Sequence, residues 1–115
     1  MFFQTKKKKI AQYIETEKDH LSVFGELLKD YLTGDFKAFF VDFGITSIEI
    51  HIDWLDDYKC IGLQGKFKNN YVDLQIEPTE FGFAIDPDEP DIDGTIPLTS
   101  KEAFYSIIKE KLLQN

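Results

Sequence analysis

The sequence predicts an α+β fold: a two-layer sandwich in which a four-stranded antiparallel meander carries N- and C-terminal helices on one face, in the order α-β-β-β-β-α. Three observations carry this expectation. Between Thr46 and Asp86, apolar and polar residues alternate with period two in four successive stretches separated by turn residues. On either side of that block the apolar residues recur instead at three, four or seven, the spacing of a helix with one buried stripe. The connections between the four stretches, taken separately, also agree on which face of the sheet is apolar.

The first helical region spans about Thr5 to Leu32, with Ile10, Tyr13, Ile14, Leu21, Phe24, Leu28 and Tyr31 on one stripe. Thr16–Asp19 offers a second start and Gly25 weakens the interior, so one helix and two are both compatible with the pattern. Gly34 is a natural stop. Lys6–Lys9 reads as a solvated first turn rather than a nucleic-acid or membrane patch. Asp35 to Gly44 holds Phe36, Phe39, Phe40 and Phe43 and reads as a connector that plugs one end of the core, the alternative being a patch that faces a partner.

The strands come next. Ile48-Glu49-Ile50-His51-Ile52-Asp53-Trp54 alternates strictly; Tyr58–Lys68 follows with Ile61, Leu63 and Phe67 inward, Tyr71–Glu77 with Val72, Leu74 and Ile76, and Glu80–Asp86 with Phe81, Phe83 and Ile85. A two-residue turn at Asn69-Asn70 would pair Phe67 with Val72 and set Lys66 opposite Asp73. Four-residue loops at Leu55–Tyr58 and Glu77–Glu80 would pair Ile52 with Ile61, Ile50 with Leu63, Ile76 with Phe81 and Leu74 with Phe83. The last helix opens at Thr99-Ser100-Lys101-Glu102, read as a capping box with Thr99 bonding the Glu102 N–H. Ala103, Phe104, Ile107, Ile108, Lys111 and Leu112 then form its stripe.

The opposite face of the sheet would carry Glu49, His51, Asp53, Cys60, Gly62, Gln64, Lys66, Asp73, Gln75, Glu77, Gly82 and Ala84. Its polarity predicts a face turned to water or a partner. At 115 residues the chain is expected to be one domain, 1–115. A lone cysteine, the absence of a signal-peptide pattern and the lack of a membrane-length apolar run give a cytoplasmic expectation with no membrane partner.

Charge is the strongest compositional signal. The net charge is −8, from 13 basic against 21 acidic residues, and every basic residue is a lysine. Without arginine, the favoured fork for phosphate and base edges, an acidic chain argues against nucleic-acid binding. No lysine falls between Asn69 and Leu98, a stretch that contains Asp73, Glu77, Glu80, Asp86, Asp88, Glu89, Asp91 and Asp93. Such acidity attracts a basic protein partner. The expected partner-binding residues are Glu49, His51, Asp53, Asp73, Glu77, Asp86, Asp88, Glu89, Asp91 and Asp93.

Catalytic and metal motifs fail on inventory. No P-loop, GxGxxG, GxSxG or HExxH string is present, and one cysteine with two histidines makes no structural zinc site. The Asp86–Gly94 loop imitates a calcium loop with Glu89, Asp91, Asp93 and Gly94, but Ser100 stands where a bidentate Glu is needed. Glu49, His51 and Asp53 with Cys60 form the one cluster resembling a nucleophilic site, on an open sheet with no pocket to exclude water. No catalytic residue, metal or cofactor is therefore expected, and the first functional reading is a non-enzymatic protein-binding module. In size, charge and architecture the chain is similar to toxin-neutralising immunity proteins and to bacterial secretion chaperones, a likeness with no motif behind it. The immunity version implies an acidic surface covering a basic toxin; the chaperone version implies an extended segment held by a homodimer. The alternative is a small enzyme or ligand-binding protein using the His51 face or a sheet-helix pocket.

Overall fold

A computed structural model describes residues 6–17, 21–55, 57–88, 92 and 94–115. The chain runs α1 (Lys6–Thr16), α2 (Val23–Thr33), α3 (Asp35–Asp42), β1 (Thr46–Trp54), β2 (Lys59–Phe67), β3 (Asn70–Ile76), β4 (Glu80–Asp86), β5 (Ile96–Pro97) and α4 (Lys101–Leu113). The strands form one antiparallel sheet in the order β1-β2-β3-β4-β5, and the helices pack on one side of it. This is the α+β sandwich that the alternation implies, extended by β5. Two residues ending in a proline are too few to show a period, so β5 left no trace in the pattern.

The helical region divides in two. Ser22, rather than Thr16–Asp19, caps α2, its hydroxyl accepting the Gly25 N–H at 3.0 Å. Gly34 ends α2 in the left-handed conformation (φ 88°) that side chains disfavour, and α3 starts at once. The aromatic stretch is thus a helix, not a connector. Its Phe36 and Phe40 are fully buried, and Phe39 stacks on Tyr105 of α4 with ring centroids 4.6 Å apart. At α4 the cap is Ser100, which accepts the Ala103 N–H at 3.0 Å. The Thr99 capping box therefore shifts by one residue, since either hydroxyl suits the position and the stripe decides which one faces out.

Two of the three expected registers hold: Ile50 faces Leu63, Ile52 faces Ile61, Leu74 faces Phe83 and Ile76 faces Phe81. Between β2 and β3 the turn is Lys68-Asn69, both residues at positive φ (49° and 67°), so Gly65 meets Val72 and Leu63 meets Leu74. Lys66 consequently faces Tyr71 rather than Asp73, with its ammonium 5.1 Å from the ring centroid. A two-residue slip leaves every side chain on its proper face, so alternation is blind to it.

At the start of β1 the register shifts between Thr46 and Glu49, and Ser47 takes a positive φ of 54°. This bulge presses the chain onto β2. A Cβ on Gly65 would lie 2.8 Å from Ile45 Cγ2 and 2.9 Å from the Thr46 carbonyl oxygen, so only glycine fits.

The core lies between sheet and helices. Ile61, Leu63, Leu74 and Ile76 from the sheet are fully buried against Ile10, Phe24, Leu27, Leu28, Phe104, Ile108 and Leu112. Tyr13 of α1 meets Trp54 edge-on at 5.2 Å, and Phe104 meets Phe81 at 4.9 Å. A polar tie joins α2 to α4: the Asp30 carboxylate accepts the Tyr105 hydroxyl at 2.9 Å and pairs with Lys101 at 3.3 Å. No helix among the described residues is long and apolar enough to cross a membrane.

Candidate functional site

With the helices on one side, the other face of the sheet is read directly from the pairing. Across β1 to β4 the outward rows are Glu49, Gln64, Asp73 and Ala84, then His51, Gly62, Gln75 and Gly82, with Asp53 and Cys60 beyond them. Strand alternation sends these side chains away from the core. Glu49, His51, Asp53, Gln64 and Gln75 are exposed, and Asp73 is half-buried. The Glu49 carboxylate stands 3.9 Å from the His51 imidazole, with about two-thirds of each side chain in solvent (71% and 62%).

Sequence reasoning expected an open face without a pocket here, and the structure corrects this twice. The face holds a hollow of about 320 Å³, open to solvent and lined by His51, Asp53, Tyr58, Cys60, Gly62, Gln64, Asp73 and Gln75. It exists because Gly62 contributes no side chain at the centre and Tyr58, from the β1–β2 connection, raises one wall. The second correction is at β4. A Cβ on Gly82 would lie 2.2 Å from Ile92 Cγ2, so Ile92 sits on the outer face of β4. Gly82 is accordingly buried. The sequence does contain the signal, an isoleucine among acidic residues and a glycine within a strand, but neither indicates its partner.

The expected binding residues separate into groups. Asp53, His51 and Asp73 line the hollow and Glu49 flanks it in the same row as Asp73. Glu77 lies close enough to Cys60 for its charge to act on the thiol. Asp86 and Asp88 are exposed at the far end of β4, where the Asp88 N–H donates to the Asp86 carboxylate at 2.9 Å. Glu89, Asp91 and Asp93, the acidic positions of the imitation calcium loop, lie outside the described residues. Lys66 is the one lysine at the outward positions of β1 to β4, and it is engaged with Tyr71.

The chemistry of the floor follows from its surroundings. Cys60 is only 5% exposed. Burial pushes its thiol up; a hydrogen bond with Tyr58 pulls the other way, and the charges of Asp53 and Glu77 push it further up. A thiol so placed is held protonated, the reverse of an activated nucleophile. Tyr58 is itself pushed up to about 12, chiefly by that hydrogen bond. Burial also raises the Asp73 carboxyl, partly offset by the Leu74 N–H that donates to it, and no ion pair among the described residues involves it. No group of three or more His, Cys, Asp or Glu placed to hold a metal occurs among the described residues.

Comparison with family models, with curated proteins and with solved structures finds no match to this chain. The site must therefore be interpreted from its own geometry and charge.

Proposed function

We propose that the outer face of the sheet is a docking surface for a basic protein partner, and that the protein acts by occupying that partner rather than by catalysis. The observation that carries this reading is the grouping of Glu49, Asp53 and Asp73 around a hollow on a sheet face that no helix among the described residues covers. Uncompensated carboxylates on one face raise the association rate of a cationic partner and reject an anionic one. The protonated, buried Cys60 speaks against one catalytic alternative, the use of this residue as a nucleophile, since that role needs a thiolate with a base beside it.

Of the two binding modes, the immunity-type one suits this surface better. A broad acidic face with side chains projecting from three strands matches a folded basic surface, such as the groove of a cationic toxin. An extended segment, by contrast, needs a free edge or an apolar groove. The test is to capture the partner from extracts of the source cells and measure its affinity for the wild type and for Glu49→Gln/Asp53→Asn/Asp73→Asn over a range of salt. The triple variant is expected to lose roughly tenfold or more at low salt, with wild-type binding falling steeply as salt rises. A partner that binds both forms equally and ignores salt would refute the proposal.

A further inference from the structure

The two edges of the sheet are built differently. At one of them β5 is two residues long and ends in Pro97, which has no N–H to offer a further strand. The other edge is β1, nine residues from Thr46 to Trp54 with no lysine, glycine or proline among them. Its bulge lies at the start, between Thr46 and Glu49, and the rest of the strand is regular.

The turn at the end of β1 decides which backbone groups this edge presents. The Leu55 N–H donates to the Tyr58 carbonyl at 2.8 Å, and antiparallel bonding alternates along the strand, so Asp53, His51 and Glu49 bond β2 through their backbones. Ile48, Ile50, Ile52 and Trp54 therefore turn their N–H and C=O groups away from β2, and no hydrogen bond among the described residues takes them up. The same edge leaves apolar surface uncovered. Ile50 is half-buried, whereas Leu63 and Leu74, which follow it in one inward row, are fully buried.

The charges on the strand choose the occupant. In a second copy related by a two-fold axis, the backbone bonds and the two faces both match only where even-numbered residues oppose even-numbered ones. Centring the axis on Glu49 would set that carboxylate against itself, and centring it on His51 would set Glu49 against Asp53. Centring it on Ile52 would run Glu49 past the end of the other strand. Centring it on Ile50, the midpoint of Thr46–Trp54, overlaps the strands fully. Ile50 then meets Ile50, Ile48 meets Ile52, Asp53 meets Ser47, and Glu49 meets His51 twice, once on each side of the axis. No like charges face each other in this register, and opposite-sign pairs directly across a ladder favour it.

We infer that β1 pairs antiparallel with β1 of a second copy about a two-fold axis at Ile50, making one sheet continuous through both molecules. Self-pairing takes up the free edge, so it does not serve an extended segment of another protein. Both outer faces, with their hollows, stay open on the same side of the joined sheet. The inference goes beyond the docking reading and stands without it.

The test follows the full chain by sedimentation equilibrium over about 1 μM to 1 mM, a range that covers weak and moderate dimers. Amide hydrogen exchange is measured at both ends of that range. A monomer–dimer equilibrium is expected, with Ile48, Ile50 and Ile52 exchanging more slowly in the concentrated sample. His51→Glu changes an exposed side chain and sets two carboxylates against two others, so dimerisation should weaken roughly tenfold. Glu49→Lys should also weaken it, yet an equimolar mixture of the two variants should associate at least as well as the wild type, because the new lysine then meets the new glutamate across the seam. Gln64→Glu, exposed one strand in from the edge on the same face, adds the same charge and should alter the dissociation constant by less than about twofold. Four results would each overturn the pairing: a monomer at the highest concentration, equal losses in Gln64→Glu and His51→Glu, no rescue on mixing, or a dimer whose Ile50 exchange ignores concentration. None of these readouts involves the basic partner, so their failure leaves the docking reading untouched.

Discussion

The seat of Ile92 on Gly82 gives a perturbation whose size can be worked from geometry. Carbon atoms in contact rest about 3.5–4.0 Å apart, and a Cβ on residue 82 would stand 2.2 Å from Ile92 Cγ2. Ile92 must therefore retreat by more than an ångström, and the Gly94 carbonyl oxygen at 3.3 Å pushes the same segment outward. Full burial of an isoleucine is worth about 1.5–3 kcal/mol; Ile92 is half-buried, so about 1 kcal/mol rests on this contact. Alanine recovers a few tenths of a kcal/mol through its lower conformational entropy when unfolded. Gly82→Ala is expected to destabilise by about 0.5–1 kcal/mol, and Ile92→Ala by about 1 kcal/mol. In the Ile92→Ala background Gly82→Ala should be neutral or slightly stabilising, a coupling of about 1 kcal/mol. Urea denaturation of the four proteins measures it. Additive costs would mean that the two residues do not meet.

Three further outcomes follow from groups already described. Asp30→Ala is expected to cost about 1–3 kcal/mol, because it strands the Tyr105 hydroxyl and Lys101, whereas Tyr105→Phe should cost about 1 kcal/mol. Burial, then the bond to Asp30, raises the Tyr105 phenol above its ordinary value of 10.0, so the stability it contributes is present below that value and declines as pH rises past it. Alkaline unfolding followed by circular dichroism should be less steep in Tyr105→Phe. Asp73→Asn should be more stable than the wild type at pH 7 and lose that advantage as pH falls through the raised folded value, since only the ionised carboxylate bears the cost of burial; urea midpoints at the two pH values check the sign. Cys60 should be alkylated at neutral pH roughly tenfold or more slowly than a free thiol, and Asp53→Asn should speed it by removing a charge that disfavours the thiolate.

How far the sequence spoke for the fold can be traced to particular residues. Strict alternation located four strands and their buried faces, because a one-residue error would have put Ile50 or Leu63 in solvent. The same logic could not separate an Asn69-Asn70 turn from the Lys68-Asn69 turn that forms, nor foresee a lysine at positive φ. Asp35 to Gly44 hid a helix because its eight-residue span holds too few turns for a stripe to stand out among four phenylalanines. For the site, the polar outward positions were legible, and Glu49, His51, Asp53 and Asp73 do share one region. The hollow was not, since it depends on Tyr58 reaching in from a loop and on which of three strand glycines has room above it. Ile92 was missed for the same reason: a contact between distant segments leaves no period in either.

The central claim concerns which face of the molecule meets the partner, and zero-length carbodiimide cross-linking of the captured complex addresses it most directly. The account expects partner lysines to be joined to Glu49, Asp53, Asp73 or Glu77, with Asp86 and Asp88 as secondary sites. Cross-links confined to carboxylates on the helical side, such as Glu26, Glu102 and Glu110, would contradict it.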